Sequence, residues 1–67
     1  MKITLNNHPE EILQSNITIA ELLEIKKFTW KLLIIKVNGK IIKRHEYDTV
    51  RVNEGDDVSV IHLITGG

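Results

Sequence analysis

Ile17-Thr18-Ile19-Ala20-Glu21-Leu22-Leu23 is the stretch that decides how this 67-residue chain folds. A threonine followed three residues later by a glutamate is a capping box. The Thr18 hydroxyl can accept the backbone N–H of Glu21, and the Glu21 carboxylate can accept that of Thr18. Neither N–H has a partner inside a helix that starts here. Ile17 and Leu22 stand where a hydrophobic staple would sit. Ile19, Leu22 and Leu23 fall on one helical stripe. The stretch therefore predicts a helix running to Lys26 or Lys27, two cations that suit the negative end of its dipole.

Upstream, residues 1–5 alternate: Ile3 and Leu5 face one way, Lys2 and Thr4 the other, as in a strand. Asn6-Asn7-His8-Pro9 is turn chemistry, and residues 10–14 read as the returning strand. Downstream, Phe28-Thr29-Trp30 connects the helix to residues 32–37, a strand apolar on both faces and so internal to a sheet. Trp30 is expected to cover the helix end, with an anchor at an interface as the alternative. Asn38-Gly39 predicts a two-residue hairpin turn, since both positions tolerate positive φ, and residues 40–43 return from it. Residues 44–52 are irregular with a short strand at 49–52. Asn53-Glu54-Gly55-Asp56 is a further turn, and residues 57–63 form the last long strand. If Val58 and Val60 face the helix with Ile35 and Val37, then Ser59, Ile61 and Leu63 face out with Ile34 and Lys36.

The economical way to join these elements is to place the first and last strands parallel at the centre of the sheet. Parallel neighbours need a long crossover, and the helical segment is the element able to supply it. The expected fold is α+β, a ubiquitin-like β-grasp: a mixed sheet of four to five strands with one main helix packed across one face. Residues 1–63 form this domain and residues 64–67 a flexible tail.

Composition narrows the function. Nine basic residues balance nine acidic ones, so the charge surplus that sequence-independent nucleic-acid binding needs is missing. Lys36, Lys40, Lys43 and Arg44 are followed by Glu46 and Asp48 and read as a solvated face. Without cysteine there is no disulfide, zinc knuckle or thiol nucleophile. His8, His45 and His62 lie too far apart in sequence to pair as metal ligands. No targeting segment or bilayer-spanning run is visible, so the expectation is a soluble, cytoplasmic protein with no nucleic-acid or membrane partner. A chain this short has no cleft between domains for catalysis. Its adjacent carboxylates, Glu10 with Glu11 and Asp56 with Asp57, point to opposite faces of any strand.

The last strand runs into Ile64-Thr65-Gly66-Gly67. Two terminal glycines arise by chance about once in two hundred chains at average glycine usage. Without Cβ they can thread a narrow channel and let a nucleotide approach the carboxylate. Adenylating that carboxylate would let sulfur or an amine displace AMP. The sequence holds no phosphate-binding glycine loop, so the activating enzyme is another protein. Gly67 would react and Gly66 would allow its approach.

In its residues the chain resembles the ThiS family of thiamine-biosynthesis sulfur carriers over nearly its whole length. The resemblance rests on Met1-Lys2-Ile3 and Asn6, Thr18-Ile19 before Glu21-Leu22-Leu23, Val37-Asn38, Arg44, Gly55-Asp56 and the terminal Gly66-Gly67. Departures fall on one loop: Lys43 stands where the family commonly has proline, and Tyr47 is the aromatic nearest to its usual tryptophan. The resemblance implies a protein co-substrate with no bound cofactor. A ThiF/MoeB-type enzyme would activate Gly67 with ATP and Mg²⁺. A donor such as a cysteine desulfurase would supply sulfur, and a ThiG-type thiazole synthase would accept it. Ile34, Ile61, Leu63, Ile64 and Thr65 would meet these partners, unless residues 44–52 cover that face. The rival readings are a small subunit of molybdopterin synthase, usually somewhat longer, a carrier for cysteine or methionine synthesis, and a ubiquitin-like module that binds through its body alone.

Overall fold

The computed structural model describes residues 1–28 and 33–63. Seven strands, one α-helix and one 3₁₀ turn follow one another. They are β1 (Lys2–Leu5), β2 (His8–Glu11), β3 (Ile17–Thr18), α1 (Ile19–Ile25), β4 (Leu33–Val37), β5 (Lys40–Ile42), the 3₁₀ turn (Arg44–Glu46), β6 (Arg51–Val52) and β7 (Asp57–His62). The main sheet has five strands in the order β2-β1-β7-β4-β5, and β3 pairs with β6 in a small second sheet. β1 and β7 run parallel, while every other neighbouring pair is antiparallel. This is the β-grasp arrangement expected from the order of elements.

The helix begins as its sequence dictates. Glu21 N donates to Thr18 Oγ1 at 3.1 Å, and Thr18 N donates to Glu21 Oε1 at 2.8 Å. Ile19, Leu22 and Leu23 are buried, as is the staple residue Ile17. The helix stops at Ile25, one to two residues before the expected end. Lys27 takes φ 58°. Phe28 N then donates to Leu23 O and Lys27 N to Glu24 O, closing the last turn with the paired bonds of a Schellman motif. Lys26 caps the end and forms an ion pair with Glu10 of β2.

The inward residues of the sheet are Ile3, Leu5, Ile35, Ile42, Val58 and Val60, which join the helix residues in one core. Two backbone hydrogen bonds and one buried ring close this core from the side. Residues 44–52 pass beside the helix start: Ala20 N donates to Tyr47 O, Ile19 N to Val50 O, and the Tyr47 ring is buried. The segment therefore lies on the helix side and leaves the outer sheet face uncovered by it. Tyr47, read in sequence only as the nearest aromatic to a missing tryptophan, is a core residue. The short strand in this segment is Arg51–Val52, and its partner is the pair of residues that precedes the helix.

The first hairpin corrects the sequence reading. Its turn is Asn6-Asn7 alone, both at positive φ, and the second strand is His8–Glu11 rather than residues 10–14. Asparagine tolerates the left-handed region that a two-residue hairpin turn demands. Pro9 is accepted in β2 because β2 is an edge strand and Pro9 lies opposite Thr4. Met1 O receives the Ile12 N–H. Counting in twos along the antiparallel pair, Pro9 falls at a non-hydrogen-bonded position, where its missing N–H faces solvent. Leu13, placed in that strand by the sequence, lies beyond it and is 99% exposed.

Candidate functional site

β7 carries the chain from the middle of the sheet toward the tail, and its two sides have opposite fates. Val58 and Val60 are buried beneath the helix, while Ile61 and Leu63 are each 45% exposed on the outer face. Ile34 lies directly opposite Ile61 on β4, and Lys36 lies opposite Ser59. The alternation read from sequence is thus in phase, and Ile34, Ile61 and Leu63 share one face. The structure adds Ile41, 58% exposed and paired with Lys36 across β5. Sequence reasoning missed it, because Ile41 and Ile42 are adjacent and equally apolar. Only the register, which sets Ile42 opposite the buried Ile35, shows which of them faces out.

The four side chains form an apolar strip with Lys36 at its margin. A strip of this kind beside the end of a strand suits a protein partner. The remaining members of the expected site, Ile64, Thr65, Gly66 and Gly67, lie outside the described residues, as do Thr29, Trp30, Lys31 and Leu32. At the same strand end, the His62 and Phe28 rings meet in a T-shaped contact with 5.6 Å between centroids.

The asparagine and glycine motifs are scaffolding for this strand. Asn6 Oδ1 accepts the Val60 N–H at 2.8 Å. Asn38 Oδ1 accepts the Asp57 N–H at 2.9 Å, and its Nδ2 donates to Asp56 Oδ1 at 3.1 Å. Asp56 Oδ2 accepts the Asn53 N–H at 2.8 Å. Gly55 takes φ +85°, and its N–H reaches Lys2 O at 2.7 Å. These bonds fix where β7 starts and how it lies against β1 and β4. Asp56 is thus a turn residue, and Glu10 pairs with Lys26.

Among the described residues no group of three or more His, Asp or Glu side chains could hold a metal. The one resolved shift of acidity is structural. The Thr18 backbone N–H and then its hydroxyl hold the Glu21 carboxyl below the usual glutamate range. No helix among the described residues is long and apolar enough to cross a membrane.

Comparison with known proteins agrees with this scaffold. The model of the ThiS family matches residues 3–67. A crystal structure of a thiamine biosynthesis protein (ThiS) from Geobacter metallireducens is similar with a TM-score of 0.88 and 26% identity, over 100% of both chains. A solution structure of a thiamine biosynthesis protein from the same organism gives a TM-score of 0.83 at 26% identity, covering 100% of this chain and 88% of that one. No match is found among curated proteins. The chain belongs to the ThiS family, whose members are small sulfur carriers.

Proposed function

We propose that this protein carries sulfur for the thiazole ring of thiamine on its Gly67 carboxylate. The observation that carries the reading is the family match, which extends through Gly66 and Gly67 on a chain whose fold follows the Geobacter ThiS structure from end to end. A carboxylate is a poor electrophile. In the proposed cycle a ThiF/MoeB-type enzyme, using its own ATP and Mg²⁺, joins the Gly67 carboxylate oxygen to the α-phosphorus and releases pyrophosphate. Hydrosulfide, its sulfur drawn ultimately from a cysteine desulfurase and released from the persulfide by thiol reduction, attacks the acyl carbon. AMP departs with the oxygen, and a thiocarboxylate remains. A ThiG-type thiazole synthase then takes the sulfur and returns a carboxylate. The carrier binds no cofactor in this scheme and works in the cytoplasm beside those enzymes.

The body has two tasks here. It presents Ile34, Ile41, Ile61 and Leu63 as a docking strip, and it aims Ile64, Thr65, Gly66 and Gly67 at the partner's reaction centre. Gly66 contributes by what it lacks, since any Cβ there would narrow the approach of the nucleotide.

The test is an intact mass of the protein from its own cells, purified without reducing agent. The expected result is a chain ending at Gly67 with a subpopulation heavier by one oxygen-to-sulfur exchange. If that species is absent, the purified protein is incubated with its adenylating enzyme, ATP and sulfide. Failure with a competent enzyme rejects the carrier role. A variant lacking Gly66 and Gly67 is expected to lose all conversion while melting like the parent.

A further inference from the structure

β7 outruns β1. Its antiparallel pairing with β4 continues to Leu33↔His62, whereas its parallel pairing with β1 ends at Leu5↔Val58. The direction of each backbone group follows from the ladder. Asn38 N donates to Asp57 O, so residues 57, 59 and 61 bond to β4. Residues 58, 60 and 62 turn their N–H and C=O the other way, toward β1. Thr4 N reaches Asp56 O and Asn6 N reaches Val58 O on that side. The next rung is already filled by a side chain, since the Val60 N–H donates to Asn6 Oδ1 at 2.8 Å. After Asn6 the chain turns away into β2. Among the described residues no strand lies beside the Val60 C=O and the His62 N–H.

We propose that this open rung is a strand-addition site: an extended segment of the enzyme that acts on Gly67 enters beyond the Asn6-Asn7 turn, accepts the His62 N–H and donates to the Val60 C=O. The inference rests on the carrier reading above. Five residue steps lead from His62 to Gly67. Fully extended they reach at most about 18 Å. A partner that encloses Gly67 in a reaction centre therefore has walls close to His62. Enclosure removes water from both backbone groups, and a buried backbone donor or acceptor without a partner is strongly disfavoured. A strand from the partner is the arrangement that satisfies both at once and is sequence-tolerant, because it reads backbone.

The ladder supplies a selective test. Proline at residue 62 removes only the open N–H, since the bonds to β4 come from 61 and 63 by the same alternation. Activation of the full chain by its ThiF/MoeB-type enzyme with ATP and Mg²⁺ is followed as pyrophosphate release. His62→Pro is expected to lower kcat/KM by roughly 5- to 150-fold, the loss of one hydrogen bond that leaves its partner buried. His62→Ala removes the ring but keeps the N–H, and its loss is expected to be several-fold smaller. Activation of His62→Pro at the parent's rate, or an equal loss in His62→Ala, overturns the proposal. A parent chain that is not activated at all overturns the carrier reading, which separates the two failures. Amide exchange in the unmodified chain covers the case in which the proline variant fails to fold. The His62 N–H is expected to exchange at least ten times more slowly in the complex than free, and unchanged exchange overturns the proposal.

Discussion

At its Asp57 end β7 has a strand on either side and three side chains stitched to its entry: Asn38 to Asp57 and Asp56, Asp56 to Asn53, and Glu54 back to Lys2 N at 3.0 Å. At its His62 end, among the described residues, it has β4 alone, exposed Ile61 and Leu63 on one face, and a ring contact with Phe28. One strand thus spans a tied end and an open end. The tied end turns polar side chains on one another and on the backbone. The open end leaves apolar surface and backbone groups available next to the tail. The first end serves stability, and the proposed function gives recognition to the second.

Substitutions can break that division. The largest effect is expected from Ile61→Asp, which places a charge in the outer strip. Binding to the adenylating enzyme should weaken on the order of 30-fold, as for a central interface residue. Its melting curve should stay close to the parent's, because the position is already exposed. Loss of the fold, or binding like the parent, would show that the strip does not divide from the scaffold in this way. Asn38→Gly probes the opposite end. It keeps a residue suited to φ 52° but removes the bonds to Asp56 and Asp57. A loss of about 1 kcal/mol is expected, or about 4–8 °C in Tm for a domain of this size, with activation of Gly67 unchanged once folded.

Smaller effects sharpen the picture. Lys27 is held at φ 58° at the residue where helices favour glycine. Lys27→Gly should raise stability by about 0.5 kcal/mol, the relief of left-handed strain less the entropy of glycine, measurable by urea unfolding. The smallest change is expected from Glu21→Gln. The Glu21 pKa is lowered in the fold, so its charge stabilises the native state above the ordinary glutamate range. That contribution fades as pH falls through the lowered value. The variant should be less stable than the parent near neutral pH, and the two should converge in acid. Parallel stability curves would mean that the cap works through neutral hydrogen bonding alone.

Much of this was legible in residues because it is local. The capping box needs only Thr18 and Glu21 three positions apart, and both bonds form. Asn38-Gly39 makes its turn because two adjacent residues accept positive φ. The alternation at Val58 and Val60 places Ile61 outside because a strand has a period of two. The misread hairpin at Asn6-Asn7 was also local. Its error came from giving Pro9 to the turn, when an edge strand can hold proline without losing a bond.

Residues far apart in sequence decided the rest. That Tyr47 enters the core follows from Ala20 and Ile19 donating to the 47–50 backbone, about thirty positions away. That Ile41 rather than Ile42 joins the outer strip follows from the register with Ile35. That β7 has an open side at His62 follows from where β1 turns away, which composition and periodicity do not encode. The sequence by itself determined the helix start, the Asn38-Gly39 turn, the in–out pattern of β7 and the glycine ending, since each depends on neighbours along the chain. Tertiary structure alone decided the register and extent of the strand pairs and the β3–β6 sheet, because these depend on closing one core around Ile19, Leu22 and Leu23.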